Sequence, residues 1–206
     1  MRVTVKMALL GVVIASSLPG QSNRIVKFED AKATAILITD APHQKGMMTE
    51  HTLNRVFVYL DAGTTKRTML DGTVQTVEYK AGDVKWVPAS TYAAENMTDH
   101  PVRIVEVELK NKPPYSQSSS KLDPTIVVPE HYHVEFENEQ TRVLRVTFAP
   151  HTKGGIHEHV LDRVVVQVKV AGTRSKPGDV SESHWAVHQD NNNTDDPQER
   201  IAIELK

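Results

Sequence analysis

Two histidines one residue apart, His157 and His159, flank Glu158 in the stretch GGIHEHVLDRVVVQVKV, residues 154–170. The β-branched run that follows marks strand, and residues two apart on a strand project from one face. His157 and His159 can therefore aim at a common point, while Glu158 between them points away and is given a structural role. His188 lies later in the chain and supplies a third imidazole. Three neutral imidazoles suit zinc, iron, copper or nickel. Such a centre with open positions can activate oxygen or water, or polarise a carbonyl. The competing reading is a set of hydrogen-bonded interior histidines with no metal. Gln167 shares the parity of His157 and His159 and could add a neutral oxygen, and Trp185, close to His188, could wall a ligand pocket.

The elements that would carry these residues come from an internal repeat. Residues 41–58 (APHQKGMMTEHTLNRVFV) and 149–166 (APHTKGGIHEHVLDRVVV) share 11 of 18 positions at an offset of 108. Residues 26–39 and 134–147 match at the same offset. Beyond the histidine stretch the offset falls to 96, pairing Gly82-Asp83-Val84 with Gly178-Asp179-Val180 and residues 96–110 with 192–206. The second copy has thus lost 12 residues, which correspond to the hairpin signalled by Asp71-Gly72. It is expected to be a trimmed barrel with a more open side. Short strands punctuated by Gly, Pro, Asp and Asn turns imply an all-β sandwich or barrel, twice over. No window shows a long amphipathic helix. The polar stretch NKPPYSQSSSKLDP from Asn111 reads as a linker.

Composition narrows the function classes. A formal net charge of −2 gives no electrostatic reason to expect nucleic acid. The absence of cysteine excludes disulfides, thiolate metal sites and a cysteine nucleophile. No serine nucleophile elbow, phosphate-binding glycine loop or dinucleotide fingerprint is present. Met1, Arg2 and Lys6 precede a nine-residue apolar run, Met7–Ala15, and then Ser16, Ser17 and Leu18-Pro19-Gly20. This layout predicts a secretory signal peptide over residues 1–20 and a periplasmic or secreted protein. The run is too short to span a bilayer, which needs roughly 20 apolar residues.

The pattern Gly-x-His-x-His, then strands, then Pro-Gly-Asp-Val, a later His and an Asn four residues on resembles the two motifs of the cupins. The wording HYHVEFENEQTRVLRV, followed by HEH and DRVVV, is similar to small bacterial cupin-domain proteins without an assigned activity. The resemblance covers both repeats and implies a bicupin, with two tandem double-stranded β-helix (jelly-roll) barrels. It divides the chain into barrels at 23–110 and 126–206, joined by the linker 111–125. It implies that His157, His159 and His188 occupy three of four ligand positions, that Arg163 stands where a ligating Glu is usual, and that Asn192 closes the following turn. In the first copy the same positions carry Thr49, His51, Arg55 and Tyr92, so that barrel is expected to be metal-free.

The resemblance implies dioxygenases, isomerases and decarboxylases among the enzymes. The cofactor expectation is a divalent transition metal (Fe, Mn, Zn, Cu or Ni), with no metal as the other option. A guanidinium beside a cation is repelled by it. Either Arg163 faces the pocket and takes an anionic ligand by a bidentate contact, or no metal binds and Arg163 and Arg55 form structural ion pairs. A small-molecule ligand is the expected partner, and the trimmed second barrel leaves room for a homodimer. The non-catalytic alternatives are a small-molecule-binding or purely structural pair of barrels. His131, His133 and His184 are expected at the surface or at strand edges, and Asp162 on the outward face.

Overall fold

The computed structural model describes residues 22–117, 119–172 and 174–206; the signal-peptide expectation for residues 1–20 lies outside the described residues. The first copy runs β1 (Asn23–Glu29), β2 (Ala33–Asp40), β3 (Thr49–His51), β4 (Arg55–Tyr59), β5 (Gly63–Met69), β6 (Val74–Tyr79), β7 (Val84–Val87), β8 (Ser90–Asn96) and β9 (Val102–Leu109). One helical turn, α1 (Pro124–Val127), follows, with Asp123 capping it through Thr125 N–H. The second copy is β10 (Tyr132–Glu137), β11 (Thr141–Phe148), β12 (Thr152–His159), β13 (Arg163–Lys169), β14 (Val180–Ser183), β15 (Ala186–Asn192) and β16 (Gln198–Leu205). The architecture is all-β, with two tandem cupin-type barrels.

Each copy has a five-stranded sheet of the same order, β1-β2-β9-β4-β7 and β10-β11-β16-β13-β14. The opposite wall of the first barrel is β3-β8-β5-β6, whereas in the second only β12-β15 remains. The hairpin of β5 and β6 is the part without a counterpart, as the change of offset predicts. Even irregularities repeat: β1 bulges between Val26 and Phe28, β10 between Val134 and Phe136. His43 and His151 both adopt positive φ (54° and 55°), and each ring bonds an exposed aspartate, Asp99 or Asp195.

The largest apolar cluster lies between the copies rather than inside either barrel. Val56, Val58, Val105, Val107 and Leu109 of the first sheet join Val143, Val164, Val166, Ile201, Ile203 and Leu205 of the second. Each such side chain, fully buried, is worth about 1.5–3 kcal/mol relative to exposure. Strand alternation then turns the remaining residues of the same strands inward. On β9, Ile104, Glu106 and Glu108 face the first cavity; on β13, Arg163, Val165 and Gln167 face the second.

The packing repeats with the pseudo-twofold symmetry of the repeat. A Cβ on Gly82 would meet Val168 and Arg145; a Cβ on Gly178 would meet their counterparts Leu60 and Leu37. Lys32 pairs with Asp162, and the equivalent positions carry the amide pair Asn54–Gln140 at 2.9 Å. Asp162 thus faces outward, as alternation requires. No helix among the described residues is long and apolar enough to cross a membrane.

Candidate metal centre

Antiparallel pairing of β12 and β15 sets His157 directly opposite His188, with His159 two residues along. Ring centroids are 4.6 Å (His157–His188), 5.0 Å (His157–His159) and 5.3 Å (His159–His188) apart. One ring nitrogen from each lies within 4.8 Å of the others. Among the described residues this is the one such cluster. His157 and His159 are buried, and His188 is about one-third exposed.

The hydrogen bonds decide which nitrogens are available. His157 Nδ1 stands 3.0 Å from the Gly155 carbonyl, which can only accept, so Nδ1 carries the proton and Nε2 a lone pair. His159 Nδ1 stands 3.2 Å from Glu204 Oε1, and by the same reasoning its Nε2 is free. His188 Nε2 is buried with no hydrogen-bond partner. A buried unpartnered nitrogen is costly. Burial lowers the pKa of His157, and that of His188 to about 4, so both rings are neutral near pH 7, the form a metal needs. Glu204 orients His159 as carboxylates orient ligand imidazoles. Burial alone would raise the Glu204 pKa; its bonds from His159 and Arg142 outweigh that and hold it low.

One proton count points the same way. Tyr132 Oη lies 3.0 Å from His157 Nε2 and also bonds the Asp190 carboxylate. The hydroxyl has a single proton for these two acceptors. An ion on Nε2 would take up the lone pair and leave the proton to Asp190. The three histidines therefore fit a divalent transition metal.

Asp190 is the carboxylate beside His188, outside the three-histidine cluster. Its Oδ2 lies 3.8 Å from His188 Nε2, and Arg200 pairs with it. Arg163 is buried, and its Nη1 donates to the His184 carbonyl at 2.9 Å. It makes no ion pair among the described residues. Burial lowers its pKa. Its counterpart Arg55 does pair, with Glu106 at 3.4 Å. The two arginines thus differ: Arg55 is structural, whereas Arg163 faces a cavity of about 210 Å³ with Gln167, His159, His188, Asp190 and Arg200.

Two expectations need correction. Trp185 does not wall the pocket. It is largely exposed and donates through Nε1 to Glu158 on the outer face. Counting back from His188 by strict alternation would have placed it there. Glu158 points away as expected, held by Ser120 and Trp185. His131 is not at the surface: it is buried, stacked on Phe148 at 4.0 Å, with Nδ1 donating to the Thr147 carbonyl. His133 is exposed and His184 largely so.

Sequence reasoning missed Glu204, Asp190, Tyr132 and Arg200. Asp190 was findable, since it shares the parity of His188. Glu204 repeats as Glu108 at the offset of 96. Nothing in the sequence singles out Tyr132. Asn192 closes its turn as expected, its amide donating to the carbonyls of Ala149 and Asp196. In the first copy His51 stacks on Tyr92 (5.0 Å) and Thr49 bonds Met47.

No protein-family model matches the chain, and none of the curated proteins matches it. Solved structures do. AerE from Microcystis aeruginosa is similar over 90% of this chain and 97% of its own, at 11% identity and a TM-score of 0.64. Oxalate decarboxylase from Bacillus subtilis is similar over 90% and 72%, at 11% identity and a TM-score of 0.62. Salicylate 1,2-dioxygenase from Pseudoaminobacter salicylatoxidans is similar over 85% and 72%, at 12% identity and a TM-score of 0.60. At these identities the likeness establishes the fold.

Proposed function

We propose that this duplicated cupin-fold chain is a metal-dependent enzyme whose second barrel acts on a small anionic substrate, as an oxygenase, isomerase or decarboxylase. The observation that carries this reading is the buried, unpartnered Nε2 of His188 at the point where three imidazoles meet, the other two rings being held by Gly155 and Glu204. His157, His159 and His188 would hold the ion. A bound divalent ion supplies a Lewis acid with open positions.

The chain's own residues account for the rest. Around the histidines Asp123, Asp190 and Glu204 offset Arg142, Arg163 and Arg200. Glu182 on the cavity wall adds one further negative charge, so a divalent ion would leave the cavity with one net positive charge, which favours an anion. Arg163 keeps guanidinium donors beyond the one bonded to His184 and would orient a carboxylate. Gln167 faces the same space. Tyr132 holds a proton between His157 and Asp190, within reach of the site. Two proteins of similar fold carry names of enzymes that act on oxalate and salicylate, both small carboxylates, which supports this substrate class.

Protein purified without a histidine tag is expected to retain near one equivalent of a transition metal, and the His157→Ala/His159→Ala double variant none. Protein that arrives metal-free and takes up none on soaking overturns the proposal. The second reading is a metal-free binding protein, favoured by the uncommitted donors of Arg163; stabilisation by small carboxylates under chelator, lost in Arg163→Ala, would identify it.

Export is proposed from the layout of residues 1–20, with the barrels at 23–110 and 126–206 and the linker at 111–125. Cell fractionation and N-terminal sequencing test the export, and an intact Met1 in a cytoplasmic fraction rejects it. A homodimer is proposed on the open flank of β15, which lacks the neighbour that β5 provides to β8. Sedimentation that gives only the monomer mass rejects that assembly.

A further inference from the structure

The larger cavity, about 460 Å³, is in the first barrel, where the metal-ligand positions have been lost. Its volume lies in the ordinary range for small-molecule sites. The hairpin absent from the second copy builds part of its wall, through Thr65 and Arg67 of β5.

The charged groups facing this space are unevenly committed. Arg24 pairs with Glu106, which also holds the fully buried Arg55 behind the cavity wall. Arg55 also donates to Tyr92 Oη at 3.1 Å. Arg67 makes no ion pair among the described residues. Its guanidinium carbon lies 5.1 Å from the Tyr92 ring centroid and 5.5 Å from that of Phe57. Contact with ring faces leaves the planar fork of donors at its edge free for a carboxylate. On the facing sheet two buried polar atoms make no hydrogen bond within 3.5 Å: Asp40 Oδ1, and Tyr59 Oη, whose nearest charged neighbour is the Arg67 guanidinium. Tyr59 is 1% exposed. A ligand that reaches all three would carry a carboxylate for Arg67 and an O–H or N–H donor for Asp40 and Tyr59. Burial raises the pKa of Asp40 and of Glu108; Glu50 and Glu106 also line the space.

We propose that the first barrel is a second, metal-independent binding site for a small carboxylate bearing a hydroxyl or amino group, with Arg67 clamping the carboxylate and Tyr59 and Asp40 reading the donor. The site is separate from the three-histidine cavity and does not depend on the function assigned to it.

Calorimetric titration of the full chain, with chelator present to keep the histidine cavity free of metal, would use L-malate and L-glutamate as probes. Succinate, which lacks the donor, is the control. The malate and glutamate arms separate a hydroxy-acid from an amino-acid ligand. At least one of the two is expected to bind more tightly than succinate. Arg67→Gln is expected to weaken that binding by at least about tenfold, the scale of a lost charge-assisted hydrogen bond. Tyr59→Phe should weaken it several-fold, both effects being read in an Arg163→Gln background, which removes any carboxylate held in the other cavity. Tyr59→Phe keeps the buried ring and guards against a folding defect in Arg67→Gln. The proposal is overturned if neither probe binds at millimolar concentration, if succinate binds as tightly as both, or if Arg67→Gln and Tyr59→Phe bind like the Arg163→Gln parent.

Discussion

Glu204 has no exposed surface and takes hydrogen bonds from two sides, His159 Nδ1 and Arg142 Nε, the latter at 2.5 Å. Glu204→Gln keeps the shape and removes the charge. Breaking a buried pair from one side costs about 3–5 kcal/mol. The low end is expected here, because Arg142 keeps Asp123 at 2.8 Å; denaturant unfolding measures it. The same variant loosens the His159 ring and should lower metal affinity about 10–100-fold, read by competition with a chromogenic chelator. His51 gives a prediction in pH. Burial first, then the charge of Arg55, lowers its pKa to about 4; Arg24 and Arg67 push the same way, Glu106 opposes them, and the ring stacks on Tyr92. An unfolded histidine titrates near ~6.5. Between those values the unfolded chain binds more protons, so the contribution of His51 is complete above about 6.5 and is lost as pH falls toward 4. His51→Gln should show a shallower fall in melting temperature across that window, measured by calorimetry.

Among the strands, the turns before β7 and β14 are where the two copies press on each other. Gly82 and Gly178 both adopt φ +89°, so alanine at either is strained by about 1–2 kcal/mol. They differ in what a Cβ would meet. At Gly178 it would come 2.7 Å from Leu60 Cδ1 inside the shared core; at Gly82 the nearest atom is Glu199 Oε1 at 3.3 Å, on a side chain that can yield. Gly178→Ala is therefore expected to lower stability more than Gly82→Ala, by about a further 1–3 kcal/mol of overpacking. Equal losses in urea unfolding would refute this account of the packing.

For the whole molecule, the main apolar cluster belongs to neither copy alone. Ala33, Val56 and Val107 share one cluster with Val143, Val164 and Ile203. Separated, each half would expose a sheet face far larger than soluble monomers leave in water. A chain cut in the linker, giving fragments 1–117 and 118–206, should yield halves that do not fold singly and that reconstitute on co-expression. Circular dichroism and gel filtration of each fragment test this; a folded, monomeric half would count against it. Each cavity lies on the face of its own sheet that is turned away from that layer, so one duplicated frame can carry two different chemistries.

Repetition, alternation and turn residues are local properties, and from them the amino-acid string alone determined the duplication, the all-β class, the lost hairpin and the shared face of His157 and His159. It also determined the outward aim of Asp162 and Glu158. Tertiary structure alone decided what meets across the molecule. Glu204 reaches His159 from 45 residues away and Tyr132 reaches Asp190 from 58. Arg55 pairs where Arg163 does not, because Glu106 faces the first cavity and its counterpart at the same offset is Ala202. A period of two says which face a side chain takes; it cannot say what stands opposite, because that depends on the closure of sheets whose strands lie far apart along the chain.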